Sequence, residues 1–217
     1  MTDWEVILIN KYDEHYYHRY ALLSVCHLFN YDIEDFVICD KPDLQSQKLN
    51  IGIEVTRAIT KHDGLTYDLV NSYFGKGLSG DEIVESINRI NRKGKFKGFV
   101  GTINGVAIFS PTQGPYDSKK HRDLISNKIL EKTQKFIQYK HFKKNGLYCF
   151  SHTSLINESD YPYILDACKN SAFSLIFINC IDTIFYWNSP ADTFVSIKIS
   201  PELLSKWKQE SLNTRIT

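Results

Sequence analysis

The stretch KPDLQSQKLNIGIEVTRA, residues 41–58, decides the fold prediction because it sets an acidic residue on each side of a short polar loop. Asp43 follows a proline near its start, and Glu54 lies in the apolar run NIGIEVT, residues 50–56. An apolar run of this length, rich in β-branched residues, predicts a strand. The run FVICD, residues 36–40, predicts a second strand before the loop. Two neighbouring strands would bring both acids to one end of a sheet.

Glu54 has an unusual position for a charged residue. Successive side chains of a strand alternate between its faces, so Glu54 shares one face with Gly52 and Thr56. The opposite face is expected to meet the core through Ile51, Ile53 and Val55. An unpaired carboxylate inside an apolar strand is costly. The sequence therefore predicts that Glu54 binds a metal ion or pairs with a basic side chain.

The rest of the chain predicts an α/β fold, with a mixed central sheet flanked by helices. The 217 residues suit a single domain, 1–217, with a helical insertion around residues 60–95. Helices are predicted at residues 13–30, 118–142 and 161–170, in two pieces within 65–92, and from Pro201 onward. Further strands are predicted at 98–110, as a hairpin that turns at Asn104-Gly105, at 146–151, and in the runs SLIFINC, TIFYWN and FVSIKI.

Composition is that of an ordinary globular protein, with 42% hydrophobic and 24% charged residues. There is no uncharged apolar run long enough to span a bilayer, and the N-terminal residues become charged too early for a secretory signal. A cytoplasmic protein without a membrane partner is the expectation.

The net charge of +1 supplies no overall field that would attract a polyanion. Any nucleic-acid contact must therefore come from local clusters, and two basic clusters contain an aromatic residue, as phosphate contact with base stacking requires. The residues that we predict to bind nucleic acid are Arg92, Lys93, Lys95 and Lys97 in NRKGKFKG, and Lys143 and Lys144 in YKHFKKNG. Solvated turns are the alternative for both clusters.

The cysteines and histidines do not predict a zinc site. None of the five cysteines forms a CxxC pair. His15 and His18 are three residues apart, but no third ligand follows at a suitable spacing, so they are expected to be structural or surface residues. Cys39, Cys149 and Cys180 lie in apolar runs and are predicted to be buried.

Asp43 and Glu54 together suit Mg²⁺ or Mn²⁺, because these cations prefer oxygen ligands and use only one or two carboxylates while keeping several waters. Ordinary surface charge is the alternative for an Asp and a Glu eleven residues apart.

The sequence at these positions resembles the PD-(D/E)xK nuclease superfamily. Pro42-Asp43 and Glu54-Val55-Thr56 are similar to its two motifs, and IGIEVT is similar to members whose second motif also ends in Thr. The run ISNKILEKTQKFIQYKHFKKNGLYCFS is similar to the lysine-bearing helix and following strand of the same group. The resemblance covers residues 10–57 and 118–151 and implies a restriction-endonuclease-like core.

The resemblance implies that Asp43 and Glu54 are catalytic metal ligands. It also implies that Glu14, on the first helix, completes the metal shell; an exposed acid at a helix start is the alternative. Thr56 stands where the family pattern has a lysine, and a threonine has no charge to offer.

A lysine from the long helix is expected to replace the missing one. Lys128, Lys132 and Lys135 form one stripe beside an apolar stripe of that helix. We predict that Lys128 or Lys132 reaches the two acids as a catalytic residue. The alternative is that the lysines are solvated beside the core.

Three hypotheses about function follow. The first is a divalent-metal-dependent nuclease that hydrolyses DNA or, less favoured, RNA; the family resemblance also implies a homodimer or a protein partner. The second is a catalytically inactive nuclease-fold protein that binds nucleic acid or protein. The third is an interaction protein in which Glu54 pairs with a basic residue away from Asp43.

Overall fold

The computed structural model describes residues 14–74, 76–91, 98–111, 118–151, 153 and 156–213. The chain divides into two compact units, of which the larger consists of Glu14–Ala58 and Asp117–Thr217 and the smaller of Met1–Asp13 and Ile59–Tyr116. The predicted helical insertion falls within the smaller unit.

The larger unit is built on a mixed seven-stranded sheet, which confirms the predicted α/β class. Its strands are β1 (Val37–Ile38), β2 (Leu44–Ser46), β3 (Ile51–Arg57), β6 (Lys144–Phe150), β7 (Leu175–Cys180), β8 (Thr183–Asn188) and β9 (Thr193–Lys198). They lie in the order β1-β2-β3-β6-β7-β8-β9, in which β3, β6 and β7 are parallel and the other neighbours are antiparallel. The helices of this unit are α1 (Glu14–Phe29), α4 (Ser118–Gln134), α5 (Tyr161–Lys169) and α6 (Pro201–Asn213).

Helices cover both faces of this sheet, and the alternation of strand residues decides which face each one meets. On one face, Ile51, Ile53 and Val55 of β3 pack in a core with side chains of α1 and α6. On the other face, Ile125 and Ile129 of α4 pack in a second core that also includes α5 and alternate residues of β6, β7 and β8. Glu54 therefore faces the α4 side of the sheet, opposite α1.

Helix α1 is attached to the sheet by a buried polar chain. Ser24 Oγ lies 2.9 Å from Ala21 O in its own helix and 2.9 Å from Tyr148 Oη on β6. Asn179 on β7 donates from Nδ2 to Tyr148 Oη at 3.0 Å. This chain fixes the helix that carries Glu14 relative to the parallel strands.

Three local predictions in the larger unit were wrong. The strand predicted at 36–40 is only two residues long, and the polar loop after it contains β2, because the N–H of Cys39 donates to Asp43 O at 2.8 Å and turns the chain back. Cys39, predicted to be buried, is exposed beyond this short strand. The helix predicted to reach residue 142 ends at Gln134, and a single 3₁₀ turn, Phe136–Gln138, follows.

The smaller unit contains α2 (Lys61–Tyr73), α3 (Gly80–Asn91) and the hairpin β4 (Gly98–Ile103) and β5 (Val106–Pro111). Asn104 and Gly105 have φ values of 51° and 76°, as the predicted two-residue turn requires. Gly80 has no room for a side chain, because a Cβ there would lie 2.2 Å from Gly105 O. Among the described residues, no helix has the length and apolar character that crossing a bilayer requires.

Candidate metal site

The pairing of β2 with β3 brings Asp43 beside Glu54. These strands are antiparallel, with Leu44 opposite Ile53, and Asp43 and Glu54 are the next residues outward from that pair. Asp43 also reaches across the pairing, because the backbone N–H of Val55 donates to its Oδ2 at 2.7 Å. The acid before the loop and the acid in the strand therefore belong to one site.

The loop that carries Asp43 is held in place by its neighbours. Gln45 donates from Nε2 of its side-chain amide to Pro42 O at 2.9 Å. Gly52 on β3 leaves the space in which two rings pack, since a Cβ there would lie 2.4 Å from Phe142 Cδ2 and 2.7 Å from Pro42 Cγ. The lack of a side chain at Gly52 thus lets Pro42, and with it Asp43, approach β3 closely.

Glu54 is buried, and its two oxygens have different environments. Lys132 on α4 contacts Oε1 at 2.6 Å, and the hydroxyl of Tyr139 donates to the same atom at 3.2 Å. Its other oxygen, Oε2, is buried and has no hydrogen-bond partner among the described residues. A buried carboxylate oxygen without a partner is costly, so a cation ligand at Oε2 has a physical reason.

Asp43 is also buried, and its ionisation is disfavoured. Burial, and then the nearby charge of Glu54, raise the pKa of Asp43 to about 7, although the Val55 N–H bond and the charge of Lys132 act in the opposite direction. His18 Nε2 on α1 lies 3.6 Å from Asp43 Oδ1. A buried Asp43 whose ionisation is disfavoured beside a second carboxylate is an electrostatic setting in which a divalent cation is favoured.

The structure distinguishes between the two candidate lysines. Lys132 contacts Glu54, whereas Lys128 contacts Glu131 at 2.5 Å, and Lys135 contacts the same Glu131 at 2.7 Å. Glu131 lies on the same helix as Lys128, at i+3, so that amine is directed along α4. Of the two lysines predicted to replace the motif lysine, Lys132 is thus the one in contact with an acid of the site.

The remaining predicted residues lie around the site or elsewhere. Glu14 is the exposed first residue of α1, and its charge contributes to the raised pKa of Asp43. Lys143 and Lys144 are exposed at the start of β6, where Lys144 is opposite Ile51, about 10 Å along the strand from the level of Glu54. The four basic residues predicted to bind nucleic acid from the insertion, Arg92, Lys93, Lys95 and Lys97, lie outside the described residues.

The donor set fits a cation that needs few protein ligands. Within the described part of the chain, no group of three or more His, Cys, Asp and Glu side chains is arranged to hold a metal ion. Asp43 and Glu54 offer two carboxylates, and Mg²⁺ is commonly bound by one or two carboxylates together with waters. Glu14 as a third ligand stays a prediction.

Two contacts of the site were missed or weakly indicated by the sequence. Tyr139 is 85 residues from Glu54 along the chain, so no spacing rule links their side chains. His18, which was expected to be a structural or surface residue, is buried beside Asp43. The only indication of Tyr139 in the sequence was its position shortly after the lysine stripe of α4.

Comparisons with models of protein families, with curated proteins and with solved structures find no match. The support for any function therefore comes from the contacts of the site itself.

The raised pKa of Asp43 predicts a pH-dependent effect on stability. Because the folded protein holds the Asp43 proton up to about pH 7 and the unfolded chain releases it near 3.8, this group's contribution to stability is lost as pH rises through that window. In metal-free buffer, Asp43→Asn should therefore gain stability relative to wild type between pH 5 and pH 8, by about 2 kcal/mol. Urea denaturation at both pH values measures this difference.

Asp192→Asn is the control, since that aspartate is exposed and forms its ion pair with an exposed lysine, Lys169. A difference between Asp43→Asn and wild type that is the same at both pH values would contradict the assigned environment of Asp43.

Proposed function

We propose that this chain is a divalent-metal-dependent nuclease with a restriction-endonuclease-like core, which hydrolyses phosphodiester bonds in DNA in preference to RNA. The observation that carries the proposal is the buried Glu54 carboxylate. Its Oε1 is held by Lys132, and its Oε2 has no hydrogen-bond partner within the described ranges, while Asp43 is directly beside it.

Asp43 and Glu54 would hold the cation, Mg²⁺ or Mn²⁺. The chemistry that such a cation supplies when bound is Lewis-acid activation of water and neutralisation of charge on the phosphate. The protein contributes a fixed, largely dry position for the two acids. Both have low exposure, at 9% for Asp43 and 6% for Glu54, so charges at the site are poorly screened by solvent.

Lys132 would take the role that the family pattern gives to a lysine at the position of Thr56. Its amine comes from α4 rather than from β3, but it meets the same Glu54 carboxylate. A lysine amine is a compact point charge on a flexible stem, so it can contact a phosphate oxygen without leaving the site. Thr56, on the same face of β3, has a hydroxyl that can hold a water.

The basic residues of the chain decide how the proposed nuclease would hold a polyanion. With a net charge of +1, the protein must bind a polyanion through local contacts. Lys143 and Lys144 form one exposed basic pair next to the sheet, and the cluster at residues 92–97 is a second candidate for contacts with the phosphate backbone. Contacts between such basic residues and phosphates carry no sequence information, so we expect little sequence specificity.

A non-catalytic nuclease-fold module is the second candidate, and one observation favours it. Lys132 already forms an ion pair with Glu54, so the buried carboxylate has a compensating charge from the protein itself, without a metal ion or a substrate. In that case Asp43 and Glu54 would bind a cation or a partner without cleavage.

Glu54→Gln tests the metal site. The amide keeps the shape of the side chain and can still accept the Tyr139 hydrogen bond, but it loses the charge that binds a cation. We expect the Kd for Mn²⁺, measured by calorimetry, to rise at least about tenfold, which corresponds to about 1.4 kcal/mol. Cleavage of single- and double-stranded DNA and of RNA should fall below detection in the same samples.

Glu131→Gln is the matched control, because Glu131 is a partly exposed glutamate on α4 that forms ion pairs with Lys128 and Lys135 of the same segment. Wild-type protein that binds Mn²⁺ but cleaves none of the three substrates would favour the non-catalytic module. Equal Mn²⁺ affinity in wild type and Glu54→Gln would refute the metal site.

Lys132→Gln separates catalysis from metal binding. Glutamine keeps an N–H donor for Glu54 Oε1 but removes the positive charge, so cleavage should fall on the order of 10²-fold while Mn²⁺ affinity is unchanged or higher. Lys128→Gln removes a lysine charge from the same helix and should retain wild-type cleavage. Single-turnover cleavage rates measure the effect of each variant on catalysis, and thermal melts show whether each variant is folded. An equal loss of activity in the two variants would contradict the role of Lys132.

A further inference from the structure

Glu54 uses only one of its oxygens for its contacts with the described residues, whereas Asp43 has Val55 at Oδ2 and His18 at Oδ1. Asp43 accepts the N–H of Val55 through Oδ2 at 2.7 Å. Glu54 accepts both the Lys132 amine and the Tyr139 hydroxyl through Oε1, at 2.6 and 3.2 Å. Glu54 Oε2 is left without a protein partner in the described portion of the chain, although it is buried. The pair is thus arranged so that Glu54 offers a single oxygen to a ligand.

Tyr139 is held more rigidly than the other donor to Glu54. Its ring packs against Phe136 and Phe173, with centroids 6.2 Å apart in both cases. Its backbone N–H donates to Phe136 O at 3.0 Å, and the next residue, Lys140, donates to Lys41 O at 2.9 Å. The same short segment therefore fixes the Tyr139 hydroxyl and contacts the residue that precedes Pro42.

Lys132 alone would not define which oxygen of Glu54 is available. A lysine amine has three rotatable donors on a flexible stem, so it can follow the carboxylate through a rotation about its last torsion. The Tyr139 hydroxyl cannot follow, since only its O–H rotates on a packed ring. A carboxylate that turned both oxygens toward a cation would lose this hydrogen bond.

We propose that Tyr139 is a positioning residue that holds Glu54 with one oxygen toward the bound cation, and that this arrangement makes the site selective for Mg²⁺ over Ca²⁺. The inference rests on the metal site of the proposed function, and it adds the residue that determines which cation is accepted.

The selectivity follows from the coordination that the two cations require. Mg²⁺ needs six ligands in near-ideal octahedral geometry and retains several waters, so single oxygens from two acids suffice. Ca²⁺ takes six to eight oxygens and gains from bidentate carboxylates. With Glu54 Oε1 engaged by two donors, a bidentate contact is opposed by the loss of the Tyr139 bond.

The test is competition between cations on the full-length protein. Displacement of bound Mn²⁺ by Mg²⁺ and by Ca²⁺, followed by the electron paramagnetic resonance signal of free Mn²⁺, gives the two Kd values. For wild type we expect Mg²⁺ to bind at least about tenfold more tightly than Ca²⁺. Tyr139→Phe, which removes only the hydroxyl, should reduce this ratio by at least about threefold, with Ca²⁺ affinity maintained or increased.

Tyr163→Phe is the matched control, because Tyr163 is 58% exposed and stacks its ring on Arg122. Its ratio should equal that of wild type. A wild-type ratio near one would overturn the proposal whatever the variant does. A ratio of Ca²⁺ to Mg²⁺ Kd values that is the same in Tyr139→Phe and wild type would also overturn it. Equal weakening of both cations in the variant would produce that result and would indicate a merely structural role.

The outcomes also separate this proposal from the nuclease function. If cation selectivity depends on Tyr139 but no substrate is cleaved, the positioning role is supported and the proposed nuclease activity is refuted. Absence of any Mn²⁺ binding to wild type would remove both.

Discussion

The burial of the Glu54 carboxylate on β3 is the constraint on which the arrangement of the site depends. A carboxylate 6% exposed in the middle of a sheet needs partners from whatever element covers its face, and that element is α4 with the segment after it. Lys132 supplies a charge and Tyr139 a hydroxyl, both to Oε1. A buried ion pair of this kind contributes little net stability, whereas removal of one partner costs about 3–5 kcal/mol. The contact thus specifies how α4 lies on the sheet.

The end of α4 belongs to the same local arrangement. If the helix continued beyond Gln134, the residues after it would follow the helix axis. Instead, the 3₁₀ turn Phe136–Gln138 is followed by extended backbone at Tyr139, with φ −90° and ψ 150°. The chain then returns along the loop that carries Asp43, where the backbone N–H of Lys140 donates to Lys41 O at 2.9 Å. The end of the helix, the hydroxyl on Glu54 and the position of the Pro42-Asp43 turn are parts of one local structure.

Much of the fold could be predicted because it follows from local periodicity. The alternation of Ile51, Ile53 and Val55 against Glu54 identified both faces of β3, and the observed cores confirm the buried set. Strand β2 was missed because three residues, LQS, carry too little pattern, and only their pairing with β3 makes them a strand. The lysine stripe of α4 was visible in the sequence, but the choice of Lys132 depended on Glu131, which binds Lys128. The contact of Tyr139 with Glu54 could not be predicted, since the two residues are 85 positions apart and only tertiary structure brings them together.

The central claim is that Glu54 Oε2 and Asp43 together bind a divalent cation. The most direct measurement is a crystal structure of the protein grown with Mn²⁺, with diffraction data collected for the anomalous signal of manganese. The account predicts an anomalous peak about 2.0–2.2 Å from Glu54 Oε2 and within coordination distance of Asp43, with Lys132 and Tyr139 still on Oε1. A peak bound through Oε1 with Lys132 displaced, or no manganese at these two acids, would contradict it.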